Sequence, residues 1–114
     1  MADSVRARIE EIRREVLESA DLAPTRASEM ETKLAALLGN VNTEVRESEL
    51  TYKAVLLGCL KSAEKANRAR IEAETTPAYA RYREAKDTHA VTVEMIRSLR
   101  AYLRNAQEEM RLAR

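Results

Sequence analysis

The sequence predicts an all-α fold, a short N-terminal helix followed by a long antiparallel helical hairpin of coiled-coil character that assembles into a homo-oligomer. Three observations predict it. One apolar stripe runs through Leu34, Leu38, Val41, Val45, Ser48, Tyr52, Val55, Cys59, Ser62, Ala66, Ala69 and Ala73, with spacings alternating between four and three. A second, through Ala78, Tyr82, Ala85, His89, Thr92, Ile96, Leu99, Leu103, Ala106, Met110 and Ala113, keeps the same rhythm. A mean spacing of about 3.5 holds one seam of a helix against a partner. The third observation is what is missing: with two Gly, two Pro, no Phe and no Trp in 114 residues, the chain lacks the turns and aromatic bulk of a sheet protein.

The first element is an accessory helix within residues 1–22. Asp3 or Ser4 caps it, Val5, Ile9, Ile12 and Val16 form its apolar face, and it ends near Ala20. Asp21-Leu22-Ala23-Pro24 reads as a linker, because the residue before proline is pushed out of helical geometry. The first hairpin arm occupies residues 25–74 and starts between 25 and 29, where Thr25 or the capping-box spacing of Ser28 and Glu31 supplies the cap. Its apolar phase continues across Gly39-Asn40, so the expectation is a continuous helix, bent or kinked at 39–40, reaching Glu74. Thr75-Thr76-Pro77 then ends one helix and starts the next, with Pro77 at the first helical position. The second arm covers residues 77–113.

A corner at Thr75-Thr76-Pro77 mirrors the arms about residue 76. That reflection sets Val55, Leu56, Leu57 and Leu60 opposite Val91, Val93, Met95 and Ile96 as an apolar belt, the expected oligomer interface. It also gathers Lys61, Lys65, Arg68 and Arg70 near Tyr79, Arg81, Tyr82, Arg83 and Lys86 as a basic, tyrosine-bearing tip.

Charge is unevenly placed. Residues 1–52 carry seven basic and eleven acidic side chains, a balance of −4, whereas residues 53–114 carry thirteen and eight, a balance of +5. Arg outnumbers Lys fifteen to five, which suits stacking and bidentate phosphate contacts. Sequence-independent recognition of single strands needs cations that follow phosphates and flat rings on which bases stack. Lys65, Arg68, Arg70, Arg81, Arg83 and Lys86 supply the first and Tyr79 the second. The competing reading is a structural or regulatory coiled-coil adaptor that binds a protein partner without nucleic acid, the charges serving only to solvate long helices.

Catalysis and metal binding are not expected. His89 is the only histidine and Cys59 the only cysteine, both on seam positions, so no His/Cys zinc set can be completed, and no glycine-rich phosphate loop occurs. No apolar run approaches the roughly 20 residues that span a bilayer, so the expectation is a soluble, cytoplasmic protein without a cofactor.

The stretch Ala63-Glu64-Lys65-Ala66-Asn67-Arg68-Ala69-Arg70-Ile71-Glu72-Ala73-Glu74-Thr75-Thr76-Pro77, with Arg83-Glu84-Ala85-Lys86 and Ile96-Arg97-Ser98-Leu99-Arg100, resembles bacteriophage recombination mediators of the UvsY type over residues 40–112. The resemblance implies an all-helical oligomer in the host cytoplasm that binds single-stranded DNA, displaces single-strand-binding protein and loads a RecA-type recombinase. By position, the basic residues of Lys65-Ala66-Asn67-Arg68-Ala69-Arg70 would contact DNA.

Overall fold

The computed structural model describes residues 4–113. They form four helices, α1 (Val5–Glu18), α2 (Pro24–Ser62), α3 (Ala66–Glu74) and α4 (Pro77–Leu112), and no strand occurs among the described residues. The architecture is the expected one, a helical hairpin with a short N-terminal helix. Its contacts fall into two compact units, Met1–Asn40 with Ala90–Arg114, and Val41–His89.

Ser4 caps α1, its hydroxyl accepting from the Ala7 N–H at 3.1 Å; Asp3, the other cap candidate, lies outside the described residues. The helix stops at Glu18, where Ser19 turns extended, slightly before the Ala20 expected. Pro24 is not part of the linker but the first residue of α2. The Ala27 N–H donates to the Ala23 carbonyl at 2.9 Å, and proline costs nothing where the N–H would lack a partner anyway. Gly39-Asn40 does not break α2, which stays helical for 39 residues, although the division between the compact units falls immediately after Asn40.

In the first unit, α1 packs with the early part of α2 and the later part of α4. Ile9 and Ile12 of α1 are buried with Ala27, Met30, Leu34 and Leu37 of α2 and Ile96 and Leu99 of α4. Polar clasps fix the arrangement at its edges. Arg26 forks onto Glu15, with Nε and Nη2 each 2.6 Å from a carboxylate oxygen, Arg100 Nε reaches Glu31 at 2.6 Å, and the Tyr102 hydroxyl donates to the Leu22 carbonyl. The Arg26 hydrogen bonds hold the Glu15 carboxyl below the usual glutamate range.

The second unit overturns the expected corner. Tyr79, near the start of α4, already stands beside Tyr52, ten residues before α2 ends at Ser62, and Arg81 reaches back to Glu44. Such pairing requires the chain to reverse at Ala63-Glu64-Lys65. From there α3 descends alongside the last turns of α2, burying Ala69 and Ala73 completely, and α4 continues downward from its end. The first-arm helix expected to reach Glu74 therefore ends at Ser62, and Lys65, extended at φ −127° and ψ 137°, starts the return. No glycine or proline marks this turn. What drives it is packing: reversal here lets the small faces of α3 seal against α2.

Thr75-Thr76-Pro77 is instead a kink within the return arm. The N–H groups of Thr75 and Thr76 bond the carbonyls of Glu72 and Ala73, each at 3.2 Å, a tight i to i−3 pattern that keeps the chain near helical. Pro77 has no N–H to offer the Ala73 carbonyl, which accepts the Thr76 hydroxyl at 2.6 Å. The mirror about residue 76 fails with it. Val55, Leu56, Leu57 and Leu60 belong to the Val41–His89 unit and Val91, Val93, Met95 and Ile96 to the other.

Candidate nucleic-acid interface

Moving the reversal to residues 63–65 redistributes the predicted site residues into two groups. At the corner, Lys61 lies in the last turn of α2, Lys65 in the reversal, and Arg68 and Arg70 on α3. All four are exposed. Among the described residues Lys61, Lys65 and Arg70 form no ion pair, and Arg68, with its side chain 80% exposed, only approaches Glu72 at 3.7 Å. Residues 61–74 carry these four cations against Glu64, Glu72 and Glu74.

The other group is largely committed to holding α2 against α4. Tyr52 stacks on Tyr82, with centroids 5.7 Å apart at 15°, and meets Tyr79 at 5.0 Å and 55°. Burial, and then the charge of Glu74, raise the Tyr52 phenol above its ordinary range. Tyr79 is thus half-buried against another ring, not an open platform for a base. Lys86 lies over the Tyr82 face, its Nζ 5.0 Å from the centroid. Arg81 forks onto Glu44 through Nε and Nη2 at 2.7 and 3.1 Å. Arg83 is exposed on α4.

A shallow cleft of about 320 Å³ in the same unit is lined by Asn42, Val45, Arg46, Glu49, Lys86 and His89. Glu49 is held by Lys53 at 2.8 Å, and that hydrogen bond keeps its carboxyl low and the Lys53 ammonium high. His89 is half-buried here, on the seam position assigned to it. Among the described residues no group of three His, Cys, Asp or Glu side chains could hold a metal ion.

No family model matches this chain, and neither the curated proteins nor the solved structures returned a match. Function must be argued from the side chains. No described helix is long and apolar enough to cross a membrane.

The expected oligomer-interface residues divide as well. Val55 and Leu56 are half-buried, whereas Leu57 and Leu60 remain 53% and 43% exposed. In the other unit Ile96 is buried and Val91, Val93 and Met95 are half-buried, with Val91 and Met95 lining a groove against Val16 and Leu17 of α1. Helix α1 therefore lies against part of the α4 face that the sequence assigned to an oligomer interface. Two features escaped the sequence reading, the tyrosine cluster and the exposed Leu50. Tyrosines at seam positions of both stripes were the available signal for the first, but only the true register brings them together.

Proposed function

We infer that this chain is a single-stranded DNA-binding recombination mediator whose hairpin corner engages the phosphate backbone and which helps load a RecA-type recombinase. The supporting observation is the corner itself: Lys61, Lys65, Arg68 and Arg70 flank the reversal, all exposed; among the described residues three form no ion pair and Arg68 only a loose one to Glu72 at 3.7 Å, while the comparable Arg81 is bound to Glu44 at 2.7 Å. Free guanidinium and ammonium groups on a projecting end can follow a flexible strand without reading its sequence. The resemblance to UvsY-type mediators points, within Lys65-Ala66-Asn67-Arg68-Ala69-Arg70, to Lys65, Arg68 and Arg70 among them. Base stacking on Tyr79 is not part of the proposal, since that ring is packed on Tyr52.

Fluorescence anisotropy of a labelled single-stranded oligonucleotide tests it. Binding should weaken with salt, log K falling against log salt with a slope of about −3 if four phosphates are contacted. Changing Arg68 and Arg70 together to Ala should abolish most of the affinity. Absence of binding at low salt would discard the reading in favour of a protein-binding adaptor.

A further inference from the structure

The outer face of α2 carries a second heptad seam that no part of the described chain covers. Glu47, Leu50, Ala54, Leu57 and Lys61 follow at spacings of three, four, three and four, and all five are exposed, Leu50 by 65% and Leu57 by 53%. At about 100° per residue this stripe lies on the side of the helix opposite the buried seam through Ser48 and Tyr52. Ordinary solvated faces do not repeat leucine at seven residues. Gly58 on its flank has open space where a side chain would be, so another helix could approach closely.

The stripe is also charge-patterned. Glu47 and Lys61 stand seven residues to either side of Ala54. Two copies laid antiparallel about Ala54 bring Glu47 of each against Lys61 of the other, and the leucines interleave between these ends. A parallel pairing would set Glu47 against Glu47 and Lys61 against Lys61. Lys61 has no ion pair among the described residues, and the side chain of Glu47 is 63% exposed, its approach to Arg81 being only 3.9 Å. We propose that α2 forms an isologous antiparallel dimer through Glu47, Leu50, Ala54, Leu57 and Lys61, the occupant of the face being a second copy of this chain. This seam replaces the belt expected from the sequence: of the residues assigned to that belt it keeps Leu57 alone. Lys61 is shared with the proposed nucleic-acid site, but the pairing itself needs no nucleic acid.

Sedimentation equilibrium of the full chain, without DNA, from about 5 to about 500 μM reads the outcome, with dimerisation expected at tens of micromolar for so short a seam. Leu57→Glu, at an exposed position that leaves the fold intact by circular dichroism, should weaken dimerisation at least about ten-fold. Glu47→Lys and Lys61→Glu should each be more monomeric than the wild type, yet an equimolar mixture of the two should dimerise again, because each supplies the charge the other lacks. A monomer throughout the range, or a dimer indifferent to Leu57→Glu, would overturn the proposal. A mixture no better associated than its components would overturn the antiparallel register.

Discussion

Replacing Tyr52 with Ala tests where the chain reverses, because this ring is the point at which α2 meets the start of α4. It touches two rings, Tyr79 at 5.0 Å and Tyr82 at 5.7 Å. Truncating a fully buried aromatic costs about 3–5 kcal/mol, and half-burial reduces this to about 2 kcal/mol. Each aromatic pair adds about 0.5–1.5 kcal/mol beyond its buried area. Tyr52→Ala should therefore destabilise by about 3–5 kcal/mol, and Tyr52→Leu, which keeps apolar volume but forfeits the ring pairs, by about 1–3 kcal/mol. Urea unfolding followed by circular dichroism at 222 nm measures both, at constant slope. The decisive experiment is the double-mutant cycle with Tyr79→Ala, where direct contact should give a coupling of about 1 kcal/mol. Additivity within about 0.3 kcal/mol would refute the reversal at 63–65, since no other corner brings these rings together.

Ile9→Ala should cost about 2–4 kcal/mol in the same assay, because Ile9 is only 1% exposed and anchors α1; a loss below about 1 kcal/mol would show that α1 is not docked as described. Glu15→Gln carries a pH signature. The lowered pKa of Glu15 means that its contribution is present above the ordinary glutamate range and lost as pH falls through the depressed value, so the urea midpoints of wild type and variant should differ at pH 7 and converge by about pH 2. A difference that survives acid would contradict the Arg26 fork. Arg81→Ala should change affinity for the oligonucleotide by less than about two-fold, whereas Arg70→Ala should lower it several-fold at low salt; the reverse order would move the interface from the corner to α4. Pro77→Ala should leave the hairpin folded and its stability within about 1 kcal/mol, because the proline occupies a first helical position where no N–H is required.

Some of this protein is written in local pattern. The stripe from Ala78 to Ala106 is the one α4 presents inward, with Ala85, Thr92, Ile96 and Leu99 buried, because heptad spacing determines which side of a helix can face a partner whatever that partner is; its last positions, Met110 and Ala113, are exposed. The apolar face of α1, its Ser4 cap and the start of α4 at Pro77 follow from chemistry confined to a few neighbouring residues. The basic character of Lys61, Lys65, Arg68 and Arg70 was legible for the same reason.

Register was not legible. Thr75-Thr76-Pro77 carries every local sign of a corner, and Ala63-Glu64-Lys65 carries none, yet the chain turns at the second and merely kinks at the first. A proline forbids one hydrogen bond, which two Thr N–H groups and a hydroxyl absorb within a helical turn. A reversal is set by how much surface the two arms seal, and periodicity cannot supply that, since a heptad stripe matches its partner equally well after sliding by seven. Tertiary packing made the choice, burying Ala69 and Ala73, stacking Tyr52 on Tyr82, engaging Arg81 and leaving the corner cations exposed. The sequence alone determined which faces are apolar and which residues are charged; the fold decided which of those charges meet solvent, because that depends on what stands opposite each one.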